Sequence, residues 1–150
     1  MFGVTKFDMR PLPIAVFLLA IGCATPAPAQ SRTCEQMAAP AHVAGVLVVE
    51  TFPGPPNYES IANGDQAETY YMLRLDRAVC VSPDSTDELS SNEPVTLETV
   101  QLVFTRESDF ARYRGWLRRH VRVSGEWMPA HTAHHRTSML IVDPAIRLSH

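Results

Sequence analysis

The chain has no surplus of positive charge. Its 13 basic residues face 16 acidic ones, a formal net charge of −3 at pH 7. Loss of residues 1–29 would take Lys6, Arg10 and Asp8 with it, deepen the charge to −4, and leave arginine as the sole basic type. Nucleic-acid binding in general depends on neutralising phosphates, so this balance argues against it. The longest apolar stretch, Pro11 to Gly22, is too short for a comfortable membrane span. The chain holds no Gly-x-Ser-x-Gly elbow, no phosphate loop and no His-Glu-x-x-His. Serines, histidines and aspartates occur, but no spacing places them together, so no catalytic triad is read. Nor is there an internal repeat. Cysteine is scarce, with three in all, of which Cys23 lies in the leader.

What is present begins with that leader. Lys6 and Arg10 precede the apolar stretch, and "ATPAPAQ" follows it. Ala27 and Ala29 bracket Pro28 in an Ala-x-Ala arrangement that signal peptidase cuts, here before Gln30. A competing reading takes "LAIGC" as a permissive lipobox, with cleavage before Cys23 and lipidation of that residue; only then would the chain meet a membrane. Cleavage before Gln30 is preferred, and both routes export the protein to the periplasm or beyond. The expected organisation is a signal peptide over 1–29, a lead-in over 30–41 and a folded domain over 42–150. Cys34 and Cys80 remain in the exported chain, where a disulfide between them is the default expectation. A disulfide there also argues against a cysteine nucleophile.

Hydrophobic patterning predicts five strands and one helix. "HVAGVLVVE" (His42 to Glu50) is β-branched and apolar, as in a buried strand. Thr51 to Gln66 is rich in Pro, Asn and Gly and reads as a long loop with a turn at Asn63-Gly64-Asp65. "AETYYMLRLD" alternates, with Tyr71, Leu73 and Leu75 on one face, and "AVCV" extends it past a kink. Ser82 to Pro94 is acidic and turn-rich, an exposed loop. Val95 to Phe104 forms the third strand. "SDFARYRGWLRRH" reads as a helix with Ser108 as N-cap, Asp109 in its first turn, and Phe110, Tyr113 and Leu117 on one face. "HVRVSGEW" is the fourth strand, with Val121 and Val123 inward. "TSMLIVD" is the fifth, expected to stop at Pro144. Trp116 and Trp127 are expected in or near the core. This order, mainly β with a helix between the third and fourth strands, is that of a small five-stranded OB-like Greek-key barrel. Such barrels often place ligands under the loops joining strands 1–2 and 4–5.

Those two loops are the compositionally odd ones here, "PGPPNYES" and "HTAHHRT". With "GDQAETYYMLRLD", "VCV", "VQLVF" and "YRGWLRRHVRVSGEW" they run in order from Val43 to Val142. On these stretches the chain resembles a bacterial exported family, domain of unknown function 4431. The resemblance implies an exported small domain with Cys34 and Cys80 paired, and brings no established activity. The family's histidine loop reads Thr-Gly-His-His-His-Thr-Pro; Thr132, His134, His135 and Thr137 match it, whereas Ala133, Arg136 and Ser138 depart from it. Loss of the third histidine to Arg136 weakens any metal site that needs all three.

His131, His134 and His135 are the candidate metal ligands, and Zn²⁺ or Cu²⁺ is the ion that neutral imidazoles would take. Adjacent strand residues point to opposite faces, so His134 and His135 can share an ion only from a loop. The competing reading gives the imidazoles, with Thr137, hydrogen-bonding roles that close the barrel mouth. Tyr58, Glu59, His131, Thr132 and Thr137 are the candidate ligand contacts. Asp65 suits turn chemistry, and Glu59 or Glu68 is the candidate base of a hydrolytic metalloprotein. The arginines at 112, 114, 118, 119 and 122 read as a solvated face in preference to a lipid or polyanion patch. The expected role is a non-enzymatic binding module of the cell envelope, for a small ligand or an envelope protein, with no cofactor required. A histidine-liganded metalloprotein and an inhibitory or interaction partner are the alternatives.

Overall fold

The computed structural model describes Gly3 and residues 33–82 and 93–149. The leader with its two cleavage readings, and most of the acidic loop expected at Ser82 to Pro94, lie outside the described residues.

The elements are β1 (Glu35–Gln36), β2 (Ala41–Pro53), β3 (Ala67–Ser82), β4 (Val95–Val103), α1 (Glu107–Tyr113), β5 (His120–Pro129) and β6 (Met139–Leu148). Single 3₁₀ turns occupy Ile61–Asn63 and Arg114–Trp116. The five expected strands are β2 to β6. They close a barrel in the order β2–β3–β4–β6–β5 and back to β2. Every barrel pairing is antiparallel except β4 with β6. This is a small OB-like barrel with one helix between its third and fourth strands.

Period-two patterning places the core. On β2, Ala41, Val43 and Leu47 are buried, and His42 between them is exposed. Tyr71 and Leu73 of β3, Val100 and Leu102 of β4, Val121 and Val123 of β5 and Ile141 of β6 complete the interior. Trp127 is buried and Trp116 packs against the core, as expected. α1 adds Tyr113, which stacks on Phe104. Burying a side chain of Val or Leu size contributes roughly 1.5–3 kcal/mol, so this interior dominates the stability of the fold.

A second, smaller buried row lies on the outer face. Met72, Gln101 and Leu140 are in register across β3, β4 and β6, and each is almost fully buried. The loop between β5 and β6 bonds to the middle of this row at Gln101. A polar residue at the centre of that row is satisfied only by the loop, which is how the barrel wall fixes the histidine segment.

Several boundaries differ from expectation. The lead-in is not structureless: β1 pairs in parallel with β3 at Val81 and Ser82, beside the Cys34–Cys80 disulfide, which is formed. The helix starts earlier than Ser108, with Arg106 as the extended N-cap and no side-chain cap. Asp109 pairs instead with the Arg106 guanidinium at 3.4 Å. The last strand does not stop at Pro144 but runs on to Leu148. Asp143 adopts a positive φ of 47°, and the β5–β6 register shifts between Ser124 and Glu126. That irregularity takes Pro144 out of the ladder, where its missing N–H costs nothing. Gly125 permits it, since a Cβ there would lie 2.7 Å from the Val142 carbonyl oxygen.

Candidate functional site

The β2–β3 loop is organised by one carboxylate. Buried Asp65 accepts hydrogen bonds from the backbone N–H groups of Asn57, Glu59 and Ser60 and from the Asn57 side-chain amide, at 2.8–3.2 Å. The Ser60 and Asn57 N–H groups are the main cause that holds its pKa below the usual value of 3.8. With the turn so fixed, Tyr58 takes a positive φ of 61°, and its N–H donates to the Gly54 carbonyl at 2.9 Å. An aromatic residue seldom adopts that conformation, and the surrounding bonds over-determine it.

The β5–β6 loop is fastened to the barrel wall by Gln101. The Gln101 amide donates to the His134 carbonyl at 3.2 Å, and its oxygen accepts from the Arg136 N–H at 2.6 Å. The Gln101 backbone N–H donates to the Thr137 hydroxyl, which donates in turn to the Met139 carbonyl. Thr137 is therefore spent on holding the loop.

Arg136 then joins the two loops. Its side chain is 12% exposed. It donates to the Pro53 carbonyl at 2.7 Å and reaches Glu68 at 3.4 Å. The guanidinium carbon lies 5.2 Å from the ring centre of Phe52, 5.6 Å from Tyr70 and 5.7 Å from Tyr58. Cation–π attraction of this kind strengthens as the charge is desolvated. Arg136 is thus an inward clamp.

His134 completes the junction. Its Nε2 meets the Tyr58 hydroxyl at 3.1 Å, and its Nδ1 meets the Glu68 carboxylate at 3.0 Å. The Tyr58 and His134 rings pack edge to face with centres 5.3 Å apart. The Tyr70 hydroxyl donates to Glu68 at 2.5 Å. That bond, followed by the His134 and Arg136 partners, holds the Glu68 carboxyl below its usual 4.5. Burial, reinforced by Glu68, pushes the Tyr70 hydroxyl up to about 12. A phenol, an imidazole and a carboxylate therefore form one connected polar chain across the junction, with His134 about half exposed. Gly54 makes room for it, because a Cβ there would lie 2.6 Å from the Glu68 side chain.

The three histidines divide between two settings. His131 and His135 pack edge to face at 4.6 Å, and the His131 N–H donates to His135 Nδ1. Burial, then the neighbouring His131 and His134, keeps the His135 imidazole below its usual 6.5. His134 turns away from this pair towards Glu68. Among the described residues no three His, Cys, Asp or Glu side chains gather to hold a metal ion. With both His134 nitrogens engaged by Tyr58 and Glu68, the residues do not fit the three-imidazole Zn²⁺ or Cu²⁺ centre expected from the spacing.

Of the expected ligand contacts, Tyr58 stands at the junction, and His131 lies on the exposed flank of the same loop. Glu59 enters through its backbone N–H alone, and Thr132 through its carbonyl, which accepts from the His135 N–H. Sequence reasoning missed Phe52, Tyr70, Gln101 and the inward role of Arg136. One signal was available: a single cation in one loop faces three aromatic residues on or beside the other.

Residues 99–146 match the model of a family described as Domain of unknown function (DUF4431). The match runs from β4 through the histidine loop into β6, and identifies the family the sequence resembles. The quoted stretches between Val43 and Glu98, including the β2–β3 loop, fall outside it. No curated protein and no solved structure matches the chain.

Proposed function

We propose that the chain is an exported, non-enzymatic binding module of the cell envelope, and that its ligand lies across the joined β2–β3 and β5–β6 loops. One observation carries the reading: the 3.1 Å contact between Tyr58 and His134, which makes residues from two distant loops a single face. That face is built at a cost, with Tyr58 held in a strained conformation and Arg136 drawn inward from water. A face that offers an aromatic ring, an imidazole and a carboxylate while its cation points inward suits a neutral, polyhydroxylated ligand, such as an envelope glycan, better than an anion. Export rests on the leader and its Ala-x-Ala site. Among the described residues no helix is long and apolar enough to cross a membrane.

The test is calorimetric titration of the mature protein with soluble, neutral N-acetylglucosamine oligosaccharides, the backbone sugar of envelope glycans. Saturable binding is expected, with Tyr58→Ala and His134→Ala each weakening it roughly tenfold, about 1.4 kcal/mol. Heat without saturation, or binding indifferent to both substitutions, contradicts the reading. Amino-terminal sequencing of protein recovered from the periplasm is expected to begin at Gln30; a chain retained in the cytoplasm with Met1 intact contradicts export.

A further inference from the structure

A groove of about 720 Å³ opens at the start of β2, away from the loop face at its end. It exists because β2 and β3 part there. Their ladder begins at Gly45 opposite Leu75, so Ala41–Ala44 pair with β5 alone. On the other side β3 passes through an irregularity between Arg74 and Val79. Core residues Val43, Val79 and Val123 line the opening.

The rim carries Arg77, Arg122 and Arg147, all exposed. Arg122 and Arg147 stand directly opposite each other on β5 and β6. Like charges in that position repel. Among the described residues none of the three arginines has a carboxylate within ion-pair distance. Of the two acids on the rim, Asp76 is engaged by His120 at 2.7 Å, which leaves Glu35. Three guanidiniums thus line one groove in a chain whose net charge is −3. Their immediate neighbours Ala44, opposite Arg122, and Ala145, opposite Ser124, are small, while the larger His42 stands on the same rim opposite Ser124. The space beside the guanidiniums is therefore open.

We propose that this groove binds a small organic anion, a carboxylate or phosphate monoester with a compact apolar body. Arg122 and Arg147 hold the anionic head, Arg77 approaches it from β3, and the apolar body rests against Ala44 and Ala145, which line the groove on the same outward face. Guanidinium forks match carboxylate and phosphate oxygens in pairs. The bound anion also removes the repulsion between Arg122 and Arg147, which no carboxylate among the described residues meets at ion-pair distance.

The experiment is a ¹H–¹⁵N chemical-shift titration of the mature protein with phenyl phosphate and with benzoate, using benzyl alcohol as the neutral control. Expected are saturable shifts at the amides of Ala44, Val79, Ser124 and Ala145 with either anion and none with benzyl alcohol. Arg122→Gln and Arg147→Gln are each expected to weaken binding roughly tenfold or more. Arg77→Gln, on a different strand, is expected to weaken it less. Without ligand, Arg147→Gln is expected to melt at a higher temperature than the wild type, because a repulsive pair is gone; an arginine serving only structure would lower it. Absence of saturable shifts, equal binding of benzyl alcohol, or wild-type affinity in both the Arg122 and Arg147 variants would overturn the proposal.

Discussion

Asp65 holds the β2–β3 loop with four hydrogen bonds from a single buried side chain. Asp65→Ala is therefore expected to lower the melting temperature and to release Tyr58 from its positive φ, visible as the loss of the Tyr58–His134 contact in a crystal structure. Gln101→Ala strips two bonds from the histidine loop and opens a void beside Met72 and Leu140. Its expected cost is roughly 1–3 kcal/mol by urea denaturation. The pH dependence follows from three depressed pKa values. His135, Asp65 and Glu68 all bind protons less readily when folded, so each contributes stability above its unfolded pKa that is lost as pH falls through its folded one. Stability is expected to be level between about pH 7 and 9, to dip as pH falls below about 6.5 at His135, and to drop further below about 4 as the two carboxylates protonate; above about pH 10 it is expected to fall as well, because Tyr70 holds its proton more tightly when folded. His135→Asn should remove the first dip and leave the second, as judged from urea midpoints across pH. At this scale the sequence was informative about local chemistry and silent about partners. Asp65 as a turn residue and Tyr58 as a candidate ligand contact were legible from their neighbours. The clamp by Arg136 was not, because Pro53 lies 83 positions away and only the closed barrel brings them together.

Each strand interior was legible because one face is buried, and a period-two pattern then has a single register that hides its apolar residues. The ends were less so. Pro144 reads as a strand stop, yet β6 continues through it because Asp143 and Gly125 absorb the irregularity. The helix lacks the hydroxyl cap that Ser108 suggested, and begins on an ion pair instead. β1 escaped notice because two residues carry no periodicity; the disulfide and β3 hold it in place. Glycine marks where elements approach most closely. A Cβ on Gly45 would lie 2.0 Å from the Arg74 carbonyl oxygen, at the point where β2 and β3 separate. Gly45→Ala is expected to destabilise the fold by roughly 1–3 kcal/mol or more, and to disturb the amides of Arg74 and Leu75 before those of the distant loops.

Across the whole molecule, one barrel presents two faces of different chemistry. The loop face turns its cation inward and exposes an aromatic and hydrogen-bonding surface. The groove at the start of β2 exposes its cations to solvent. The Cys34–Cys80 disulfide ties the lead-in to β3 next to that groove, closing a separation of 46 residues. Replacing both cysteines with alanine is expected to cost roughly 4 kcal/mol in chemical denaturation, the value for a loop of that length in the chain-entropy view. The order of elements was legible from hydrophobic pattern alone, and with it the meeting of two odd loops at one site. The groove was not, since it depends on where a ladder begins. The most direct measurement of the central claim is a ¹H–¹⁵N shift map of the wild-type mature protein on addition of neutral N-acetylglucosamine oligosaccharides. Perturbations concentrated at residues 54–60, 68–70 and 131–137, saturating together, are the predicted result. Perturbations confined to the groove amides, or none that saturate, would contradict the assignment of ligand binding to the joined loops.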